Sequence, residues 1–123
     1  MKRILIVDDA ATVRMYHRSI LEGAGFRVEE AINGIEALEK SLQQTFALYL
    51  VDINMPKLDG YGFLRELRGQ PMPQAPAIMI STEAEANDQR RAYQAGANAY
   101  LLKPSKPDQL LRYIRILLGD AEI

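Results

Sequence analysis

The sequence lacks several residue types that define whole classes of protein. It contains no cysteine and no tryptophan, and it has a single histidine. The absence of cysteine excludes a disulfide framework, thiolate metal sites and a cysteine nucleophile. No charge of either sign dominates, because 15 basic residues oppose 16 acidic ones. General affinity for nucleic acid or for an anionic membrane is therefore not expected.

Long apolar runs are missing as well. The longest, residues 46–51, is six residues, whereas a membrane-spanning helix needs about 20. The chain has 123 residues, of which 48% are hydrophobic, and this is enough for one domain with a real core. We therefore predict a single domain over residues 1–123 that is cytoplasmic and does not insert into membranes.

Two hydrophobic periodicities alternate along the chain. Short runs of consecutive apolar residues are typical of strands buried in a parallel sheet, and a period of 3.6 is typical of amphipathic helices. The predicted strands are 4–7, 27–31, 46–51, 77–80 and 99–102. The predicted helices lie at about 12–24, 35–42, 58–68, 83–95 and 106–118. Five strands alternating with five helices predict a doubly wound α/β sheet.

Three smaller features refine this pattern. Thr82 and Glu85 have the spacing of a capping box before the fourth helix. Ser105 precedes the fifth helix and is expected to cap it. His17 lies on the apolar stripe of the first helix, so a packing role is predicted for it.

Polar side chains follow four of the predicted strands. Asp8 and Asp9 follow the first, Asp52 the third, Ser81 the fourth and Lys103 the fifth. In open α/β sheets, ligands bind beyond the carboxyl ends of the strands. With the strand order 2-1-3-4-5 the three carboxylates would crowd together and favour a cation such as Mg²⁺. With the order 3-2-1-4-5 they would be separated, but the glycine motif of dinucleotide-binding folds is missing from the first turn.

These residues belong to a wider pattern of five segments in a fixed order. They are ILIVDD at 4–9, VDINMPKLDG at 51–60, Ser81, AGA at 95–97 and YLLKP at 100–104. With them, residues 2–118 resemble the receiver domain of two-component response regulators, most closely the single-domain chemotaxis type. The resemblance implies a CheY-like (flavodoxin-like) fold, an α/β parallel sheet of five strands in the order 2-1-3-4-5 with five flanking helices.

The resemblance also implies roles for the residues at the strand ends. Asp52 would be the phosphoacceptor, and Lys103 would contact a phosphoryl oxygen. Mg²⁺ would be held by Asp9, Asp52 and the backbone carbonyl of Asn54, with support from Asp8.

Further residues would transmit and time the signal. Ser81 would move towards the phosphoryl group, and Tyr100 would change rotamer with it. The surface of helix 4, strand 5 and helix 5 would then be remodelled for a downstream protein target. Asn54 and Glu83 occupy positions that tune the lifetime of the phosphate in this family, and their identities match a short-lived phosphate.

Two features near the fifth strand complete the comparison. The Lys103–Pro104 peptide bond is expected to be cis. Ser105 departs from the family, which commonly has an aromatic residue after Lys-Pro.

Four arginines on the last two helices either form a solvated face or border the partner surface; they are Arg90, Arg91, Arg112 and Arg115.

The resulting hypothesis is a signalling switch phosphorylated by a histidine kinase, with chemotaxis or motility control as one setting for it. It is not an enzyme, although it assists its own phosphorylation and dephosphorylation, and it is a monomer or a phosphorylation-dependent dimer. One alternative is a receiver domain excised from a longer regulator with a DNA-binding or enzymatic output. A pseudo-receiver that binds partners without phosphorylation is a second. A haloacid-dehalogenase-type phosphatase is a third, but it needs a second aspartate where this chain has Asn54.

Overall fold

The computed structural model of the protein describes residues 2–83 and 85–119. Strands and helices alternate along these residues, as the sequence predicts. The strands are β1 (Arg3–Val7), β2 (Arg27–Ala31), β3 (Leu48–Asp52), β4 (Ala77–Ser81) and β5 (Ala99–Leu102). The helices are α1 (Ala11–Gly23), α2 (Gly34–Gln43), α3 (Gly60–Arg68), α4 (Ala86–Ala95) and α5 (Pro107–Leu117).

The strands form one parallel sheet in the order β2-β1-β3-β4-β5. This confirms the fold and the strand order that the resemblance implies. The central strands β1, β3 and β4 are almost entirely buried, because helices cover both faces of the sheet. The register pairs Val7 with Val51, so the chain segments that follow β1 and β3 lie side by side.

Two hydrophobic cores lie on opposite faces of the sheet. On one face, Leu21 of α1 and Ile114 of α5 pack against the strands. On the other face, α2, α3 and α4 contribute side chains such as Phe63. Successive side chains of a strand point to opposite faces, so Leu50 belongs to the first core and Val51 to the second.

The third strand is displaced from its predicted position by up to two residues. It begins at Leu48 rather than Phe46 and extends through Asp52. Phe46 is buried outside the sheet, where its ring packs against Tyr49 with the centroids 5.7 Å apart. The apolar run is therefore longer than the strand because its first part fills the core from a loop.

The third helix also starts later than predicted. It begins at Gly60 rather than Leu58, since Asp59 caps it. The Asp59 carboxylate accepts a hydrogen bond of 2.8 Å from the N–H of Gly62. A polar residue in the loop after β3 thus sets the start of α3.

The two helix caps predicted from hydroxyl side chains are wrong. The N-cap of α4 is Glu85, with no side-chain capping bond, so the capping box with Thr82 does not form. The N-cap of α5 is Lys106, also without such a bond. Ser105 is buried instead and directs its hydroxyl to His17. The Ser105 hydroxyl therefore makes a tertiary hydrogen bond instead of the helix cap that its position in the sequence predicts.

The helices of the described segments are short. The longest of them, α1, has 13 residues, whereas a bilayer-spanning helix needs about 20. Within residues 2–83 and 85–119, no helix combines the length and the apolar character needed to cross a membrane.

Candidate functional site

Three carboxylates meet at the carboxyl edge of the sheet. Asp8 and Asp9 follow β1, and Asp52 ends the neighbouring strand β3. Ligand oxygens of the three carboxylates all lie within 4.8 Å of one another. Asp8 and Asp52 are only 3% and 7% exposed, whereas Asp9 faces solvent. The structure thus brings together the three acidic residues that the sequence singles out.

Lys103 reaches this cluster from β5, two strands away from β3. Its side chain spans the roughly 10 Å between these strands. Its Nζ donates hydrogen bonds to Asp52 Oδ1 at 2.9 Å and to Asp8 Oδ2 at 3.1 Å. The backbone N–H of Lys103 donates to the carbonyl oxygen of Ser81 at 2.8 Å. The Lys103–Pro104 peptide is cis, as the resemblance implies.

Two residues of the cluster, Asp52 and Lys103, have shifted pKa values. Burial raises the pKa of Asp52; the hydrogen bond from Lys103 opposes this shift, and the charges of Asp8 and Asp9 add to it. Burial by itself would lower the pKa of Lys103, but the hydrogen bond and charge of Asp52, together with Asp8, outweigh it and raise that pKa. One charged lysine therefore faces three carboxylates. This excess of negative charge favours a hard cation with oxygen ligands.

A second group of side chains lies where β4 and β5 end. The Ser81 hydroxyl, in a residue that is 1% exposed, accepts a hydrogen bond of 3.0 Å from the N–H of Glu83. The Tyr100 hydroxyl donates to the carbonyl oxygen of Glu83 at 2.7 Å. Together these bonds hold the β4–α4 loop to both strands.

The loop between β3 and α3 is packed tightly behind Asp52. The N–H of Gly60 donates to the carbonyl oxygen of Ile53 at 2.8 Å. A Cβ atom at Gly60 would lie 2.3 Å from the carbonyl oxygen of Asp52, so only glycine permits this approach. Asn54 lies in the same loop with its side chain exposed. The start of α3 thus supports the backbone that carries Asp52 and Asn54.

Two neighbouring α1 side chains hold the loop that follows Lys103. His17 is 3% exposed, and its Nε2 forms a hydrogen bond of 3.0 Å with Oγ of Ser105. The Tyr16 hydroxyl donates to the carbonyl oxygen of Ser105 at 2.8 Å. Burial lowers the pKa of His17; the charge of Asp8 opposes this shift, and that of Lys103 adds to it. His17 is packed, as predicted, and it is also a hydrogen-bonding partner.

Sequence reasoning missed two charged residues beside the site. Arg14 of α1 donates from Nη1 to the carbonyl oxygen of Asp8 and from Nε to Glu30 Oε1, each at 2.7 Å. Glu30 lies on β2, which is the neighbour of β1 in the sheet. The available sequence signal is that Arg14 and Arg18 are one helical turn apart and face the same side of α1. That signal identifies no partner until the position of β2 is known.

The arginines of α4 and α5 lie on the surface. Arg90, Arg91, Arg112 and Arg115 are all exposed. The Arg91 guanidinium lies over the ring of Tyr61, 4.3 Å from its centroid. Exposed apolar side chains on α4, β5 and α5 are Tyr93, Leu102, Tyr113 and Ile116. We call the outer face of these three elements the α4-β5-α5 surface.

Comparison with known sequences identifies a family. The family model described as the response regulator receiver domain matches residues 4–115. The gliding motility regulatory protein of Myxococcus xanthus is 41% identical over 102 residues, covering 82% of this chain and 13% of that protein. The transcriptional regulatory protein ResD of Bacillus subtilis (strain 168) is 34% identical over 119 residues, covering 97% of this chain and 49% of that protein. The chain thus spans half or less of the length of these relatives.

Solved structures agree with this result. A CheY-like receiver domain protein from Methanospirillum hungatei JF-1 has a TM-score of 0.90 and 35% identity, covering 98% of this chain and 95% of that one. The receiver domain of the sensor histidine kinase PA1611 from Pseudomonas aeruginosa PAO1 has a TM-score of 0.90 and 33% identity, covering 96% of this chain and 98% of that one. That receiver domain has a magnesium ion coordinated in its active-site cleft.

The family match decides between the classes of function that the strand-end residues leave open. Receiver domains are signalling regulators and not a family of catalytic enzymes, so the dehalogenase-type alternative finds no support. With the fold, the strand order and the family match all in agreement, the chain belongs to the response regulator receiver domain family of two-component systems.

Proposed function

We propose that the protein is a phosphorylation-activated switch that accepts a phosphoryl group on Asp52 from a histidine kinase. The observation that carries the proposal is the buried Asp52 carboxylate beside Asp8, Asp9 and Lys103. Asp52 Oδ1 accepts the hydrogen bond from Lys103, and within the described residues Oδ2 has no hydrogen-bond partner. One oxygen is thereby held in place while the other is available as a nucleophile.

In the proposed reaction, this free oxygen attacks the phosphorus atom of a phosphohistidine on the kinase. An O–P bond forms as the N–P bond breaks, and the histidine nitrogen leaves with the electron pair. The attack needs ionised Asp52, and Lys103 favours that form against the effect of burial. Lys103 then offsets negative charge on a phosphoryl oxygen. Hydrolysis of the aspartyl phosphate, assisted by the domain, restores the carboxylate.

The donor set at the site fits a magnesium ion. Mg²⁺ prefers carboxylate and carbonyl oxygens together with water, and the three carboxylates offer such oxygens close together. We assign the binding to Asp9, Asp52 and the backbone carbonyl of Asn54, with support from Asp8. When bound, the ion would neutralise charge on the carboxylates and on the phosphoryl oxygens. The magnesium ion in the similar PA1611 receiver domain supports this assignment.

Ser81 and Tyr100 are the proposed switch residues. Both side chains bond to the backbone of Glu83. The Ser81 hydroxyl accepts from the Glu83 N–H, and the Tyr100 hydroxyl donates to the Glu83 carbonyl oxygen. If Ser81 turns to donate a hydrogen bond to the phosphoryl group, the loop loses one of these attachments. Movement of the loop would then free Tyr100 to change rotamer. This couples the site to the α4-β5-α5 surface, where the downstream target is proposed to bind.

Asn54 and Glu83 are proposed to set the lifetime of the phosphate. Both side chains are exposed, in the loops that follow Asp52 and Ser81. From there they can influence the access of the water that hydrolyses the aspartyl phosphate. We expect a short-lived phosphate.

The proposed switch acts in the cytoplasm, as a single domain over residues 1–123, without direct binding to nucleic acid. It is a monomer or a phosphorylation-dependent dimer. Similarity to a gliding motility regulatory protein supports a place in motility or chemotaxis control. The alternative is the receiver part of a longer regulator with a DNA-binding or enzymatic output. The greater length of the relatives supports that alternative.

Intact mass spectrometry tests the phosphoacceptor. Incubation with Mg²⁺ and acetyl phosphate should add one phosphoryl group, about 80 Da, to the wild type and none to Asp52→Asn. Chelation of Mg²⁺ should abolish the adduct. Asp108→Asn, which changes an exposed carboxylate on α5, should be labelled like the wild type. No adduct on the wild type would contradict the proposal and favour a pseudo-receiver that binds partners without phosphorylation.

A further inference from the structure

Arg14 and Glu30 connect the acidic site to the edge strand β2. Arg14 is largely buried, with 15% of its side chain exposed, and it bonds the Asp8 carbonyl oxygen and the Glu30 carboxylate at once. Glu30 is held in turn by the guanidinium of Arg18, and its backbone carbonyl accepts a hydrogen bond from Lys40. The guanidinium of Arg14 therefore has a fixed support on the side away from the site.

The carbonyl group that Arg14 binds belongs to the peptide between Asp8 and Asp9. On one side of this peptide, the N–H of Asp8 donates to the carbonyl oxygen of Ala31 at 3.1 Å. On the other side, Asp8 Oδ1 accepts from the N–H of Ala10 at 2.9 Å. The Asp9 side chain has no hydrogen bond or ion pair with any described residue. The direction in which Asp9 points thus depends on the backbone that Arg14 holds.

We propose that Arg14, supported by Glu30, is a positioning residue that orients the peptide between Asp8 and Asp9 so that both carboxylates converge on a divalent cation. This inference rests on the proposed magnesium site. Arg14 donates to a carbonyl oxygen that no strand of the sheet uses, because β1 ends at Val7. It therefore acts on the orientation of the acidic residues without occupying their side-chain oxygens.

The ion pair between Arg14 and Glu30 also reduces the repulsion between the arginine and a cation bound nearby. An unpaired guanidinium there would repel a divalent cation. Burial would favour the neutral form of Glu30, but the hydrogen bonds and charges of Arg18 and Arg14 outweigh it and lower the pKa of Glu30. Glu30 is thus ionised at neutral pH, with Oε1 2.7 Å from Nε of Arg14. Arg14 can orient the backbone while Glu30 offsets its charge.

The substitution Arg14→Gln separates positioning from charge, because the two effects have opposite signs. Loss of a positive charge near the site would by itself tighten Mg²⁺ binding. Loss of the hydrogen bond to Asp8 would weaken it. We expect the affinity for Mg²⁺ to fall about tenfold, the lower end of the range for residues that orient metal ligands. Calorimetric titration with Mg²⁺ alone measures this without any phosphorylation step.

Arg18→Gln is the matched control. Arg18 lies one turn further along α1 and shares Glu30, but its remaining contacts are the carbonyl oxygen of Val28 and the side chain of Glu22. The change of charge is the same, but the hydrogen bond from Arg14 to the Asp8 carbonyl oxygen is retained, so Arg18→Gln should weaken Mg²⁺ binding much less than Arg14→Gln. Arg14→Lys keeps the charge but loses the two-pronged geometry of the guanidinium, and it should also weaken binding.

Urea unfolding of each variant identifies those that fold, and Arg14→Lys carries the test if Arg14→Gln does not fold. If the wild type binds Mg²⁺ and the Arg14 variants bind it equally well or more tightly, the positioning role alone is overturned. Equal weakening in Arg14→Gln and Arg18→Gln would also overturn it, since the hydrogen bond to the Asp8 carbonyl oxygen, which only Arg14 of the two makes, would then not be the cause. Wild-type protein that fails to bind Mg²⁺ would instead refute the proposed magnesium site, and the positioning role with it.

Discussion

Burial sets the direction of the pKa shift for two ionisable side chains at the site. It raises the pKa of Asp52 and lowers that of His17, because a low-polarity environment disfavours the charged form of either group. Lys103 is the exception, since the hydrogen bond and charge of Asp52, together with Asp8, outweigh its burial. The site therefore keeps its lysine charged, while the nearby histidine is held neutral.

We expect His17 to make the stability of the protein depend on pH just below neutrality. Its folded-state pKa lies below the unfolded value of about 6.5, so the unfolded chain binds the proton first as the pH falls. The stability associated with neutral His17 is complete above about pH 6.5 and declines below it, by at most about 1.4 kcal/mol per pH unit. Urea unfolding of wild type and His17→Gln at about pH 7.5 and about pH 5.5 measures the difference.

A second readout is available because His17 is the only histidine in the chain. Its ring protons should titrate in NMR spectra with a midpoint below about 6.5. Asp52 has a raised pKa and acts on stability in the opposite sense, but it is present in both proteins and cancels from their difference. A midpoint at or above that of a free histidine would contradict the expected pH dependence.

Among the elements, the contact between α3 and the end of β3 supports the site most directly. A methyl group at Gly60 would meet the carbonyl oxygen of Asp52 at 2.3 Å and the Cα atom of Ile53 at 3.0 Å. We expect Gly60→Ala to reduce the free energy of unfolding by about 1–3 kcal/mol, as overpacking of a buried contact does. Because α3 must move away from Asp52, labelling by acetyl phosphate should slow as well.

Gly23→Ala is a suitable control for this effect. Gly23 ends α1 and is exposed, and a methyl group added there would meet no atom within 4 Å beyond its chain neighbours and the backbone of its own helix. Alanine there should leave stability unchanged or raise it by up to about 1 kcal/mol, because glycine is a poor helix former. Urea denaturation followed by circular dichroism compares the two variants. Equal stability losses would show that the close approach at Gly60 is not the cause.

For the molecule as a whole, the strand order concentrates negative charge at one edge of the sheet. We expect Asp9→Asn to be more stable than the wild type without divalent cations, by up to about 1 kcal/mol. The Asp9 carboxylate lies close to those of Asp8 and Asp52, and no cation among residues 2–83 and 85–119 pairs with it. Mg²⁺ at about 100 times its dissociation constant should stabilise the wild type by about 2.7 kcal/mol. The variant should gain much less, so the order of stability should reverse.

Thermal unfolding with and without Mg²⁺ measures this reversal. Glu39→Gln, which removes an exposed charge from α2, should follow the wild type in both conditions. If Asp9→Asn gained as much from Mg²⁺ as the wild type, Asp9 would not be a ligand.

Local sequence was sufficient for most of the elements and for the residues at their ends. Each strand and helix forms within a few residues of its predicted position, because hydrophobic periodicity acts over one or two turns. Asp52 and Lys103 could be identified because they end or follow apolar runs. The errors have local and distant causes: Phe46 packs beside Tyr49 from a loop, Asp59 delays the start of α3, and Ser105 binds the distant His17 instead of capping α5.

Contacts between distant residues required the folded chain. The periodicity of β1 and β3 is the same in either strand order, and only their pairing brings Asp8 to Asp52. Arg14 meets Glu30 because β2 lies beside β1, and His17 meets Ser105 across 88 residues of sequence. Periodicity and turn preferences report on neighbours in the chain. The partners of a buried polar group depend on how the whole sheet and its helices pack.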